Sequence, residues 1–306
     1  MEKSIDQIKN TEKETLETFQ EEIPSQYFSH LNEKEFISYT KRLENFYRDL
    51  MKFPKEMFLN KELIDFGAGT GENTIYLANW GAKCTLVEMN NLSQDISKDV
   101  FKKYALNPEK AEFILSSIFD YKPSNEKLFD IVHSRGVLAH TAAKEKAFQH
   151  IASFLKPGGY LIFGDPNKSG GFQNMLQRYA VYKFSKSKDE MVDVCEKLFK
   201  NDIDRSQKTV KRTRRAIIFD RWVIQSQDDP SICEVIEWCK KSNLKIYSSY
   251  PNINSPVFGD SFLHLNKCNP YKFTNLFSIP ELTWMMQTNE DNVLLTEYNN
   301  IMKDVN

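Results

Sequence analysis

Three glycines alternate at Gly67, Gly69 and Gly71, directly after the apolar run Leu63-Ile64 and the acid Asp65. Lacking Cβ atoms, they let a ligand approach the backbone, and they permit positive φ where the chain reverses. A second apolar run, Cys84-Thr85-Leu86-Val87, ends in Glu88. If both runs are strands of one open parallel sheet, Glu88 stands at the same carboxyl edge as the glycines, where an acid grips ribose hydroxyls. Glycine loop and acid together specify a nucleoside-bearing cofactor. Two further features can do chemistry. An imidazole exchanges protons near neutral pH, so His140 is a candidate to deprotonate a hydroxyl. The basic run Lys208-Thr209-Val210-Lys211-Arg212-Thr213-Arg214-Arg215 carries arginine forks that match phosphate or carboxylate. Both also have a plain structural reading: a histidine that caps a helix or supports the cofactor, and a solvated helix face answering Asp202, Asp204 and Asp220.

Spacing separates the cofactors. A dinucleotide fingerprint, G-x-G-x-x-G, counted from Gly67 ends on Glu72, whose charge would face a pyrophosphate. No Gly-Lys-Ser/Thr follows the glycines, so a nucleoside triphosphate has no cradle. Asp65-x-Gly67-x-Gly69-x-Gly71, with Glu88 seventeen residues beyond Gly71, resembles the nucleotide-binding motifs of class I S-adenosylmethionine-dependent methyltransferases. The resemblance spans about residues 60 to 165, at domain scale. It implies that Asp65, Gly67, Gly69 and Gly71 meet the methionine end, that Glu88 holds the ribose, and that Met89 covers one face of adenine. Ala68, Ser117, Ile118 and Ser134 complete the implied cofactor-binding set. Ser116 and Ser117 stand where many relatives place an acid for the adenine amino group; a hydroxyl accepts the same hydrogen bond without the charge. The segment His133-Ser134-Arg135-Gly136-Val137-Leu138-Ala139-His140-Thr141 resembles the place in small-molecule members where a Leu and a His follow the fourth strand. If the insertion after Asp165 covers the pocket, Arg214, Arg215 and Arg221, together with Arg135, are the expected substrate contacts. The Asn/Asp-Pro-Pro-Tyr/Phe tetrapeptide used to orient an exocyclic base nitrogen is missing there, so methylation of adenine or cytosine in nucleic acid is not expected.

Stepping strands and helices must position these residues. Strands are expected at 62–66, 83–88, 111–116, 128–133 and 159–164, with helices at 72–79, 93–105 and 143–155, an alternation that argues for a parallel sheet with helices on both faces. Right-handed crossovers put the loop ends on one edge. Lys156-Pro157-Gly158-Gly159 reads as a helix end turning into a strand, as in the resembled family. The fold class expected is therefore α/β, a Rossmann-like, seven-stranded sheet of parallel type. Residues 1–60 form an N-terminal extension: 1 to about 22 polar and frayed with little function, then helix from Tyr27 to Leu59, with Phe36, Tyr39, Leu43, Phe46, Tyr47, Leu50 and Met51 at helical steps. That stripe reads as core packing ahead of a cap over the cofactor. The cofactor-binding core is 61–166. After Pro166 the alternation stops for about 65 residues, too long for a loop, so 167–241 reads as an inserted helical lid with amphipathic helices at Met191 to Phe199 and from Ser231 to about Lys241. Residues 242–306 supply strands 244–250 and 260–267 and then a final helix or an aromatic-rich tail through Trp284 and Tyr298.

Composition sets the frame. At 306 residues with 41% hydrophobic content the chain can bury a full core, and 41 basic against 42 acidic residues give no overall field for nucleic acid or an anionic membrane. The charged N-terminus lacks a signal-peptide core, and five scattered cysteines suggest neither a disulfide framework nor a zinc site. The expectation is a cytoplasmic methyltransferase of small-molecule type, using S-adenosyl-L-methionine and releasing S-adenosyl-L-homocysteine, with no metal and no DNA or membrane partner. Methyl transfer is expected to go to O, N or C of a small metabolite, an anionic one if the basic run contacts it. The alternatives are a catalytically silent cofactor-binding protein and a protein or RNA methyltransferase; an open, basic-rimmed cleft would favour the last, a covered pocket the first expectation.

Overall fold

The computed structural model describes residues 4–23, 25–210, 212–224, 227–251 and 281–288. Its centre is a seven-stranded sheet, formed by β1 (Glu62–Phe66), β2 (Lys83–Glu88), β3 (Glu112–Leu115), β4 (Phe129–Arg135), β5 (Leu155–Pro166), β6 (Leu244–Tyr250) and β7 (Glu281–Thr288), in the order β3-β2-β1-β4-β5-β7-β6. The first five strands run parallel, and β7 runs antiparallel to both β5 and β6. The chain builds outward from β1 to β3 and then restarts on the other side with β4. This makes the β1/β4 boundary the switch point at which open sheets bind ligands. Leu63, Ile64, Asp65 and Phe66 are all buried, as a central strand covered on both faces requires.

Helices fill the crossovers, with some shifts from expectation. The first is only Ile75–Asn79 rather than 72–79, because Gly71 sits at φ +75°, outside helical space. It is α3 in chain order, after α1 (Ile5–Glu21) and α2 (Glu33–Asn45), and is followed by α4 (Asn91–Tyr104) and α5 (Lys144–Ala152). The Lys156-Pro157-Gly158-Gly159 turn lies inside β5: pairing jumps from Phe129–Leu155 to Ile131–Tyr160, and Gly158 at φ +74° lets the extra residues loop out.

The N-terminus differs most. Residues 5–21 are an ordered helix, not a frayed lead-in. A capping box between Ser4 and Gln7 opens it, and contacts far away in sequence dock it. Thr15 donates to the His140 carbonyl at 3.4 Å, Asn90 donates to the Phe19 carbonyl at 3.1 Å, and Ile8, Thr15 and Thr18 are buried. In α2, Phe36 is buried and stacks on Tyr104 with ring centroids 4.2 Å apart; Tyr47 and Met51 follow in the same cluster, while Leu50 turns to solvent. This helix packs against the α4 side of the sheet, the core role expected of its stripe.

The insertion folds as α6 (Phe172–Phe184), α7 (Lys188–Leu198), α8 (Lys200–Val210) and α9 (Arg214–Ile218) around a separate apolar cluster that includes Val181, Cys195, Ile218 and Trp222. The next helix, α10 (Ile232–Lys241), instead buries Val235, Trp238 and Cys239 in the sheet's own core. Trp284 does not lie in a tail: it is 2% exposed in β7, paired with Phe163 on one side and Ser249 on the other. Residues 260–267 and Tyr298 lie outside the described residues. Because β7 joins β5 to β6, Trp284→Ala should cost about 3–5 kcal/mol in urea unfolding. A loss below about 1 kcal/mol would contradict that packing.

Candidate functional site

At the carboxyl end of β1 the three glycines adopt φ of +69°, +53° and +75°, but they do different work. A Cβ on Gly67 would lie 2.5 Å from Val137 and one on Gly71 would lie 2.4 Å from the Ser97 hydroxyl, so these two permit close packing. A Cβ on Gly69 would meet nothing within 4 Å, as would one on Gly136, at φ +70° in the loop after β4. These two glycines border open space. The loop is pinned by Gly67 and Ala68 N–H groups donating to the Val87 carbonyl at 2.9 and 3.2 Å.

Asp65 lies beneath the loop instead of facing the cavity. It is 2% exposed, accepts the Thr74 hydroxyl, and has Oδ1 2.7 Å from Nδ1 of the fully buried His133. Asp65 and His133 are direct neighbours in the β1–β4 register. The carboxylate therefore ties β1, β4 and the start of α3 together and lies outside the walls of both cavities described next, so from here it supports the loop implied to meet the methionine end. Gly71 is likewise a packing residue against α4. Ser134 is fully buried outside both cavities described next.

Two cavities meet over the glycine loop. The smaller, of about 170 Å³, has Gly67, Gly69, Glu88, Met89, Ser116, Ile118 and Phe119 in its walls, and α1 closes it with Glu12, Thr15, Leu16 and Phe19. Ser117 is not in the wall: its hydroxyl donates to Glu12. The four α1 residues lie in a segment whose polarity carries no signal of a site. Glu88 accepts the Gly69 N–H at 2.8 Å on one oxygen and the Asn90 N–H at 2.7 Å on the other. Burial pushes its carboxyl up, and the backbone donors pull against that. An acid in a narrow cleft, flanked by Met89 and Ile118 and floored by glycines without Cβ, fits a nucleoside: each carboxylate oxygen keeps a lone pair for a ribose hydroxyl.

The larger cavity, of about 660 Å³, shares Gly67, Gly69, Ser93, Gly136, His140 and Asp220 with the smaller. Ala68 lines it as well. His140 ends the short 3-10 turn Leu138–His140, which Asp165 holds by accepting the Val137 and Ala139 N–H groups at 3.0 and 3.2 Å. Its ring meets Phe19 edge-on at 5.5 Å. The insertion supplies much of the far wall, through Gln173, Asn174 and Gln177 of α6 and through Arg205, Arg212 and Arg221. The α6 trio follows i, i+1, i+4 steps, a helical-face signal visible in the sequence.

The arginines divide. Arg135 and Arg221 line the cavity as expected. Arg214 and Arg215 do not: Arg214 pairs with Glu196 and Asp204, and Arg215 with Glu21 at 2.9 Å and Asp189 at 3.3 Å. Lys200 and Arg214 hold the Asp204 carboxyl down at about 2. Within the wall, Arg205 pairs with Asp202 at 2.5 Å and Arg212 with Asp220 at 2.7 Å. Arg221 lies over the Trp222 ring at 4.8 Å and donates to Ser206 at 3.4 Å, with no carboxylate beside it among the described residues. Lys211 lies outside those residues.

Comparison with known proteins agrees with this geometry. Residues 39–193 match a family model described as a methyltransferase domain. Malonyl-[acyl-carrier protein] O-methyltransferase 2 of Ilyobacter polytropus is 29% identical over 111 residues, which cover 36% of this chain and 41% of that protein. Sarcosine/dimethylglycine N-methyltransferase of Halorhodospira halochloris is 25% identical over 122 residues, covering 38% and 43%. The chain thus spans under half the length of these curated relatives. Among solved structures, PKMT2 from Rickettsia typhi in complex with AdoHcy superposes with a TM-score of 0.52 at 14% identity, over 76% of this chain and 49% of that one, a likeness of fold. With the family model covering half of the sequence, and the sheet order, glycine loop and acid where that fold needs them, the chain belongs to the class I S-adenosylmethionine-dependent methyltransferases.

Proposed function

We propose that this protein transfers a methyl group from S-adenosylmethionine to an oxygen, nitrogen or carbon of a small molecule bearing an anionic group. The observation that carries the reading is the meeting of the two cavities over Gly69 and His140, one shaped for a nucleoside and the other walled on its far side by the insertion. A pocket walled by the insertion suits a small substrate and limits water at the reacting centre. Bound cofactor supplies an already activated methyl on a sulfonium, so the protein's task is alignment. Glu88 holds the ribose hydroxyls, Met89 and Ile118 flank the base, and Gly67, Ala68 and Gly69 let the methionine end approach the backbone. His140, at the shared wall, takes the proton released by the accepting atom. Arg221, with Arg135, holds the substrate's anionic group; the carboxylates of malonyl and sarcosine groups, named for two relatives, are of that class.

The ribose assignment has a pH signature. The Glu88 carboxyl titrates above its ordinary 4.5, and ribose hydroxyls donate to its ionised form. Cofactor affinity is therefore full above the raised value and falls as pH drops through it. Glu88→Gln should flatten that profile, and Glu88→Ala should cost about 1.5–3 kcal/mol, roughly ten- to a hundredfold in Kd by calorimetry. A pH-independent native Kd, or an unchanged one in Glu88→Ala, would remove ribose from this acid.

Kinetics divide the other roles. With a metabolite extract fractionated for turnover to S-adenosylhomocysteine, His140→Gln should lower kcat about a hundredfold or more while cofactor affinity holds. Arg221→Ala should raise KM roughly ten- to a hundredfold with little change in kcat, whereas Arg214→Ala should leave KM alone. Cofactor binding without turnover in any fraction would favour a silent binding module.

A further inference from the structure

The end of β3 poses a specific problem for base recognition. Its last residue, Leu115, is followed by Ser116, whose hydroxyl donates to the Ser117 carbonyl at 3.0 Å and keeps only neutral lone pairs toward the cavity, and by Ser117, which lies outside the cavity wall and donates to Glu12. Ser117 Oγ also accepts the Phe119 N–H at 3.1 Å. A purine with an exocyclic amino group brings a donor that needs an acceptor when desolvated. Three carboxylates border the small cavity: Glu88, Asp220 and Glu12. The free lone pairs of Glu88 are those assigned above to the ribose hydroxyls, and Asp220 is paired with Arg212 at 2.7 Å. Glu12 shares the cavity wall with Ser116, Ile118 and Phe119, its side chain 14% exposed. One of its oxygens accepts Ser117 and the other lies 3.2 Å from Lys9 Nζ. Each oxygen of a carboxylate has a second lone pair, so the group keeps capacity for a further donor on either oxygen.

We propose that Glu12, presented by α1 rather than by the sheet, accepts the exocyclic amino group of the cofactor's adenine and so sets the base specificity of the site. The proposal rests on the S-adenosylmethionine reading above and adds the residue that distinguishes one purine from another. Ser117 is then a positioning residue that aims the carboxylate, and Lys9, bridging Glu12 and Asp120, compensates its charge. Because α1 docks largely through polar contacts, the base is also part of what holds the helix down.

S-Inosylhomocysteine tests this, since it differs from S-adenosylhomocysteine by a 6-oxo acceptor in place of the 6-amino donor. Calorimetry on the full chain should give the native protein a preference for the adenosyl ligand of roughly tenfold or more. In Glu12→Gln, whose amide offers either a donor or an acceptor, that preference should shrink to within about threefold. Glu12→Ala should weaken the adenosyl ligand and leave the inosyl one nearly unchanged. A merely structural role for Glu12 would weaken both ligands alike. An adenosyl-to-inosyl ratio unchanged in Glu12→Gln, with the native protein binding S-adenosylhomocysteine, overturns this inference alone. Failure of the native protein to bind S-adenosylhomocysteine at all would overturn the cofactor reading, and the inference with it.

Discussion

A buried carboxylate fixes the geometry on which the site depends. Asp65, at the end of a strand covered on both faces, has lost its water and must be satisfied from within. Thr74 reaches it from the start of α3 and His133 from the adjacent strand, 2.7 Å away. The chain between Asp65 and Thr74 must therefore leave the sheet and return to the same point within nine residues. Three positive-φ glycines make that reversal possible. Two of them are needed because neighbouring side chains press on them, and the third is left bare toward the cavity. The cofactor cleft is in this sense a by-product of how the sheet neutralises one acid.

The cavity wall away from the sheet is held by charge and by helix packing. The insertion carries its own apolar cluster, so it stands as a body able to roof the pocket, and its arginines are mostly neutralised by acids, Arg205 within its own helix and Arg214 and Arg215 on neighbouring ones. Arg205 and Arg212 answer Asp202 and Asp220, which leaves Arg221 as the wall arginine best placed to meet an anion. At the opposite side α1 closes the narrow cleft. Its only apolar buried residue is Ile8, so it contributes polar atoms more than burial, and a helix held in that way opens at lower free energy than the core.

What was legible in the sequence followed from local physics. Strands covered on both faces must be apolar throughout and end where polar ligand contacts begin, so β1 and β2 with Asp65 and Glu88 were readable to the residue. The roles within that set were less so: nothing local says that Asp65 turns under the loop, since its partner His133 is its neighbour only once β1 and β4 pair. The α1 helix was missed because its docking partners, Ser117 and His140, lie more than a hundred positions away. Trp284, expected in a final helix or an aromatic-rich tail, instead lies in β7, which joins the sheet as an antiparallel strand between β5 and β6, an arrangement of topology and not of pattern. The basic run split for the same reason: Arg214 finds Glu196 and Asp204 only after α7, α8 and α9 have packed.

The central claim is that the bare face of Gly69 is where the cofactor's backbone contact occurs, and one measurement addresses it. Gly69→Val adds a side chain that meets no protein atom near its Cβ, so the folded chain should tolerate it at the cost of about 1–3 kcal/mol of backbone strain. Calorimetric titration of this variant with S-adenosylhomocysteine, after cooperative unfolding has shown it to be folded, should find binding weakened at least roughly a hundredfold. A folded variant that binds S-adenosylhomocysteine as tightly as the native protein would contradict the account.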